Sequence, residues 1–152
     1  MNLDNYEYNT GNSQLDYEFE SIGPNGTIKK VVRFSPIGEN IYNLGFGDLD
    51  EKNGEISDFV VSDNKDTDKV LATVATITYN FTGVFPGAAI YIQGTTPART
   101  RLYQMKISEQ WESIGALFEV HGLKHGHWYL FQKRVNYEAF LARRHQGAFL
   151  VP

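Results

Sequence analysis

Apolar and polar side chains alternate along "LDYEFESIG", which is the pattern of a strand with one buried face. "PNG" at 24–26 predicts a tight turn, and the apolar-rich run that follows predicts a returning strand. Two further strand-like runs, separated by a second turn at "EKNG", extend the pattern to an antiparallel meander. The strands predicted in this meander are 15–23, 27–37, 40–50 and 55–62.

The periodicity changes in "DNKDTDKVLATVATITYNF", which covers 63–81. Val70, Val74, Ile77 and Phe81 recur at helical spacing, so this segment predicts an amphipathic helix. Several β-branched residues lower its helix propensity, and burial of one face has to outweigh that cost. A strand of this length would be unusual, which favours the helix. Asp66 or Thr67 can cap its N-terminus.

The run at 88–94, which is apolar from Ala88 to Ile92, predicts a strand in the centre of the sheet, because both of its faces need cover. Pro97 suits the first turn of a following helix, and Ser108 is a candidate cap for a second one. The rest of the chain predicts a hairpin around "KHG" and a last strand at 137–144.

These elements predict the α+β class with a mixed, mostly antiparallel sheet in the order β-β-β-β-α-β-α-α-β-β-β. Helices on both sides of one strand require a crossover, so part of the sheet should be parallel. We expect a flexible N-terminus over residues 1–14 and a single α+β domain over residues 15–152. The residues predicted to be largely buried are Phe19, Val32, Phe46, Val60, Val74, Ile77, Ile90, Ile92, Leu102 and Phe118.

The chain contains no cysteine, which excludes disulfides and cysteine-based zinc sites and is compatible with a reducing compartment. No apolar run approaches the roughly 20 residues that span a bilayer. We therefore expect a cytoplasmic protein without a membrane partner. The net charge of −4 is uneven, because residues 1–76 carry 14 acidic and 6 basic side chains and residues 77–152 carry 4 and 8. Either a polar partner of the C-terminal half or mutual neutralisation within the fold explains this asymmetry.

The junction "IYIQGTTPARTRLY" joins the central strand to the next helix and is a candidate anion site. Gly94 allows a turn, Thr95 and Thr96 supply hydroxyls, and the first-turn N–H groups of the helix favour an anion. Arg99 and Arg101 cannot share a helix face, and Arg99, which is nearer the N-terminus, is the predicted anion ligand. The alternative is a structural junction, in which Thr96 caps the helix and both arginines form salt bridges.

The chain resembles a family of small bacterial proteins of unknown function. The resemblance rests on "ESIGPNGTIKKVVRFSP", "NLGFGDLDEKNGEISDFVVSDNKDT" and "GTTPARTRLYQMKI", and it covers 15–144. It implies no activity.

A second resemblance is to the GNAT acetyltransferase fold, whose order of meander, helix, strand, helix and closing strands is similar to that of 40–133. On "TTPARTRLYQMKI", Tyr103 falls where the family's catalytic tyrosine lies, whereas Thr96 and Arg99 replace the usual Asn and Ala. The glycine-rich loop that holds coenzyme A in that family is replaced by the acidic "SDNKDTDKV". Its aspartates would repel a pyrophosphate, so we expect neither coenzyme A nor another cofactor.

Two further groups of side chains are candidate sites. His121, His125 and His127 are close in sequence, but their predicted place in a hairpin favours exposed histidines over a metal site. Basic and aromatic residues in the C-terminal half suit single-stranded nucleic acid, whereas the acidic pI of about 5.5 does not favour it.

The function is therefore left open among three hypotheses. The leading one is a binding or interaction module, on a degenerate GNAT-like scaffold or another one, whose partner is a phosphorylated small molecule or a protein. The second is a transferase-like enzyme acting on a phosphorylated or acidic small molecule. The third is a nucleic-acid-associated protein.

Overall fold

The computed structural model describes residues 4–11, 13–57 and 64–145. It confirms the α+β class, because the described residues form a mixed, mostly antiparallel sheet together with helices. The helices are α1 (Thr67–Val84), α2 (Pro97–Glu109) and α3 (Trp111–Leu117). The strands are β1 (Tyr8–Thr10), β2 (Asp16–Gly23), β3 (Gly26–Gly38), β4 (Ile41–Leu49), β5 (Ile56–Ser57), β6 (Ala89–Ile92), β7 (Phe118–Lys124), β8 (His127–Leu130) and β9 (Ala139–Arg144).

The strands lie side by side in the order β1-β2-β3-β4-β6-β9-β7-β8, and β5 pairs with β4. The parallel pairing that the sequence predicted is the one between β4 and β6. It follows from α1, which carries the chain back between the end of the meander and β6.

The chain divides into two compact units. We call Leu3–Ser35 together with Leu44–Phe81 the meander unit. We call Met1–Asn2, Pro36–Asn43 and Thr82–Pro152 the cleft unit. The expected boundary at residue 15 and the expected single domain stay predictions.

The meander unit is built on the hairpin of β2 and β3. Pro24 and Asn25 form the turn between the paired residues Gly23 and Gly26. Gly26 has a φ of 85°, which glycine adopts without a steric cost. The turn predicted at "PNG" is therefore confirmed.

The predicted helix over 63–81 is confirmed as α1, and burial explains why it tolerates β-branched residues. Phe81 stacks on Phe34 with ring centroids 3.9 Å apart, and both side chains are fully buried beside Ile77. The hydroxyls of Thr73 and Thr78 donate to carbonyl oxygens one turn earlier, so these buried polar groups are satisfied.

Asn64 fastens the hairpin to the start of α1. Its side chain is buried and donates hydrogen bonds to the carbonyl oxygens of Ser21 and Gly26, while its Oδ1 accepts from the N–H of Asn25. A Cβ at Gly23 would lie 2.1 Å from the Asn64 carbonyl oxygen, so only glycine allows this approach.

The cleft unit is built around β6, which lies between β4 and β9 as the sequence predicted for a central strand. Ile90 is fully buried and pairs with Tyr42 on one side and Ala142 on the other. The hairpin predicted around "KHG" is confirmed, with Lys124 paired to His127.

The structure corrects several details. Ser108 does not cap a helix, because α2 continues through Glu109 and Gln110 holds the cap position of α3. Part of the segment 1–14, whose flexibility stays a prediction, forms β1, a strand that was not predicted and that pairs with β2. Of the predicted core, Phe46, Ile92 and Leu102 are only partly buried, and Val60 lies outside the described residues.

Candidate functional site

The loop from β6 to α2 is a capped helix start. Thr96 has extended backbone angles, and its Oγ1 accepts a hydrogen bond of 3.2 Å from the N–H of Arg99. Pro97 occupies the first helical position, where its fixed φ is favourable and the missing N–H costs nothing. The sequence prediction for this helix start is confirmed.

Gly94 brings the loop into close contact with the first turn of α2. A Cβ at this position would lie 2.4 Å from the Cβ of Arg99 and 2.6 Å from the backbone nitrogen of Thr100. The Gly94 N–H donates to the Thr100 hydroxyl at 3.0 Å, and that hydroxyl lies 3.3 Å from the carbonyl oxygen of Thr96. Thr100 is buried and so ties the loop to the helix.

The loop before β9 is fastened to the same helix by Gln104. Its Oε1 accepts a hydrogen bond of 3.0 Å from the N–H of Tyr137, and its Nε2 donates to the carbonyl oxygen of Val135. The hydroxyl of Tyr137 accepts in turn from the N–H of Gln132 at 3.0 Å. Gln104 and Tyr137 are both buried, and together they form the floor of the cleft described next.

A cleft of about 340 Å³ lies between these two loops in the cleft unit. This volume is in the range of small-molecule sites. The cleft is lined mainly by polar residues: Gln93, Gly94, Thr95, Thr96, Pro97, Thr100, Arg101, Gln104, Asn136, Tyr137 and Glu138.

Gly94, Thr95 and Thr96, the residues of the predicted anion site, line this cleft together. Of the two arginines, the lining includes Arg101 and does not include Arg99. The helix explains the difference, since the lining positions of α2 are 97, 100, 101 and 104, which share one face at spacings of three and four.

Tyr103, the catalytic candidate from the GNAT resemblance, is also absent from the lining. It is one residue away from Gln104 on α2 and therefore points about 100° away from it. A catalytic role for Tyr103 stays a prediction.

The helix N-terminus offers less to an anion than the sequence suggested. Pro97 has no N–H, and the N–H groups of Arg99 and Thr100 are bonded to the side chain and carbonyl of Thr96. These bonds leave the N–H of Ala98 as the available donor in the first turn of α2.

Arg101 is the main charge available to a ligand. Its side chain is exposed and forms no hydrogen bond or ion pair with any residue that the structure describes. Glu138 contributes a negative charge to the lining, and its Oε2 accepts a hydrogen bond of 2.7 Å from the N–H of His125. The cleft therefore presents opposite charges and favours a ligand with few negative charges.

Sequence reasoning missed Gln104, Asn136, Tyr137 and Glu138. Asn136, Tyr137 and Glu138 follow the hairpin of β7 and β8, far from "GTTPARTRLY" in the sequence. The packing of the fold alone brings them next to the loop between β6 and α2. The stripe of polar residues at 100, 101 and 104 was the signal that could have located the cleft face of α2.

Asp66, in the acidic segment before α1, is engaged in hydrogen bonds within the meander unit. The carboxylate of Asp66 accepts hydrogen bonds from the hydroxyl of Tyr6 at 2.7 Å and from that of Ser21 at 2.5 Å. Burial, followed by the hydrogen bond to Asp66, raises the pKa of Tyr6 above its usual value of about 10. Asp66 is thereby committed to holding the N-terminal segment and β2.

Among the described residues, His121, His125 and His127 are not arranged as ligands of a metal ion. His121 contacts a carboxylate, with 3.6 Å between its Nε2 and Oε1 of Glu119. No group of three or more His, Cys, Asp or Glu side chains in the described ranges could hold a metal ion. In those ranges no helix combines the length and apolarity needed to cross a membrane.

A model of a family of unknown function, DUF6934, matches residues 2–145, which is nearly the whole chain. No curated protein and no solved structure matches. These comparisons show the family of unknown function that the sequence suggested, and they do not show the resemblance to GNAT proteins.

Proposed function

The chain belongs to the DUF6934 family, and we propose that it is a binding module whose cleft takes a small anionic ligand. The observation that carries the proposal is Arg101, an exposed cation with no hydrogen bond or ion pair among the described residues, on a cleft of about 340 Å³ lined mainly by polar residues. A guanidinium binds carboxylate or phosphate oxygens in a bidentate manner.

The lining suggests how such a ligand would lie. Its anionic group would contact Arg101 and the hydroxyl of Thr95, with Gly94 and Thr96 shaping the loop beside it. Asn136 can donate or accept a hydrogen bond, and Glu138 can accept one. A single carboxylate or phosphate fits this mixture better than a polyphosphate, because Glu138 would repel additional negative charge.

Amide NMR titration of the labelled protein with inorganic phosphate, AMP and acetate tests this proposal. We expect shifts at Thr95 and Ala98, and we expect Arg101→Ala to weaken binding about fivefold or more. Arg99→Ala tests the arginine that the sequence favoured, and we expect it to change binding less. Arg143→Ala, an exposed arginine outside the cleft, is the control. Absence of shifts at millimolar ligand, or shifts confined to other regions, would refute an anion site here.

The transferase hypothesis is the less supported alternative, because its candidate acid, Tyr103, does not line the cleft. An activity screen on phosphorylated small molecules with Tyr103→Phe would test it. The nucleic-acid hypothesis would be tested by salt-dependent retention on single-stranded RNA, which falls steeply with salt when phosphates are bound. We also propose a cytoplasmic location, which the cysteine-free sequence fits and cell fractionation would test.

A further inference from the structure

β8 is the last strand in the order of the sheet that the described residues form. β7 pairs with one side of β8, and no strand of the described residues pairs with the other side. All four residues, His127–Leu130, are exposed. Trp128 is 40% exposed, Tyr129 50% and Leu130 63%.

The register shows which backbone groups point to the side of β8 away from β7. The N–H of Phe131 donates to the carbonyl oxygen of Val120 at 2.9 Å, so these two residues form a hydrogen-bonded pair. Hydrogen-bonded and non-hydrogen-bonded pairs alternate along an antiparallel ladder, so the next hydrogen-bonded pair is Gly122 with Tyr129. The N–H and C=O groups of Trp128 and Leu130 therefore point away from β7.

These groups remain available for pairing. The carbonyl oxygen of Leu130 also lies 3.4 Å from the hydroxyl of Tyr137, which occupies at most one of its two lone pairs. Neither Trp128 nor Leu130 forms another hydrogen bond within the described residues.

β8 is short, which is one feature that protects natural edge strands from pairing, but it lacks the others. Such edges usually carry lysine, proline, a bulge or an inward-pointing charge. "HWYL" contains no lysine, proline or carboxylate. It presents instead large side chains of the kind enriched in protein interfaces, and Trp128 is supported by an edge contact with Tyr91 at 6.2 Å between ring centroids.

We propose that β8 pairs antiparallel with β8 of a second copy of this chain, about a two-fold axis at Tyr129. In this register Trp128 lies opposite Leu130 of the second copy, and Leu130 lies opposite its Trp128. Each of these pairs exchanges both of its outward N–H···O bonds, as hydrogen-bonded pairs do. If the two strands were shifted by two residues relative to each other, one outward-facing residue of each copy would lose its partner. The register about Tyr129 therefore satisfies the largest number of outward N–H and C=O groups.

A second copy fits this edge better than a charged peptide. The axis places Tyr129 beside the same residue of the other copy, and it places His127 opposite Phe131. No like-charged side chains therefore face each other along the pairing, and the arrangement closes as a dimer. Trp128 would cover Leu130 of the second copy on one face of the continuous sheet.

Cysteine cross-linking tests the axis, because the natural chain contains no cysteine. In Tyr129→Cys the thiols of the two copies face each other in a non-hydrogen-bonded pair, whose Cβ atoms are about 4.5–5.5 Å apart and can approach disulfide distance. We expect mild oxidation to link this variant at least about tenfold faster than Val84→Cys, an exposed control site (54%). Equal rates in the two variants would overturn the proposal.

Sedimentation equilibrium of the natural chain tests the pairing itself. We expect a reversible dimer, and we expect Leu130→Pro to raise its dissociation constant about tenfold or more, because each copy loses an outward N–H. Leu130→Ala, which keeps the N–H, should have a smaller effect. The Leu130 N–H is not used in pairing with β7, and circular dichroism will show that the variant is folded. A natural chain that stays monomeric at high concentration, or a dimer that Leu130→Pro leaves unchanged, would overturn the proposal.

Discussion

The side-chain amide of Gln104 holds the backbone of Tyr137, whose N–H donates to it at 3.0 Å. Replacing Gln104 by Ala leaves this N–H and the carbonyl oxygen of Val135 without their partner in a buried place. We expect Gln104→Ala to lower the free energy of unfolding by about 1–3 kcal/mol, measured by urea denaturation. Gln132→Ala, at an exposed position, is the matched control and should change stability by less than about 0.5 kcal/mol. Equal effects of the two variants would contradict this role of Gln104.

The floor of the cleft also depends on a glycine. A Cβ at Gly122 would lie 2.2 Å from Cδ1 of Tyr137, so an alanine there must displace the ring. We expect Gly122→Ala to destabilise the protein by about 1–3 kcal/mol and to weaken ligand binding in the cleft. Gly38→Ala, where the nearest atom would be 3.6 Å away, is the control, and a similar loss there would show that the ring contact is not the cause.

Asn64 should be among the most sensitive residues of the meander unit. It is 2% exposed and bonds to the backbone of Ser21, Asn25 and Gly26. Asn64→Ala leaves several of these groups unsatisfied, and we expect a loss of about 2–4 kcal/mol in thermal or urea unfolding. Asn9→Ala on an exposed strand position provides the comparison. A loss below about 1 kcal/mol for Asn64→Ala would mean that water replaces its hydrogen bonds.

Tyr6 should make stability depend on alkaline pH. Burial and the hydrogen bond to Asp66 raise the pKa of Tyr6 in the folded protein above its usual value of about 10. The unfolded chain then loses this proton first as the pH rises, so the stabilisation is present below about pH 10 and is lost above it. Unfolding of Tyr6→Phe between pH 8 and 11 should show a smaller decrease than the natural chain. An unchanged decrease would assign the effect to other groups, such as Tyr17, whose pKa burial also raises.

The position of β6 makes a prediction about two isoleucines. Ile90 is fully buried between paired strands, whereas Ile92 is only partly buried. We expect Ile90→Ala to cost about 2–5 kcal/mol and Ile92→Ala to cost less. Chemical denaturation of both variants measures this, and the reverse order would mean that the strand is misplaced.

Elements whose signals are local were predictable from the sequence. The hairpin turns depend on Gly26 and on His125–Gly126, which adopt positive φ, and the start of α2 depends on Thr96 and Pro97. In each case the backbone preference of a few neighbouring residues is sufficient, and this is why the order of strands and helices was predictable.

The residues that line the cleft are brought together by long-range packing. Gln104 meets Val135 and Tyr137 at separations of 31 and 33 residues, a contact that no local pattern encodes. The same holds for the choice of Arg101 over Arg99, because the buried side of α2 depends on what packs against it. Burial of individual side chains is likewise a property of the assembled sheet and helices, which is why Ile90 and Ile92 differ although both are isoleucines of one strand.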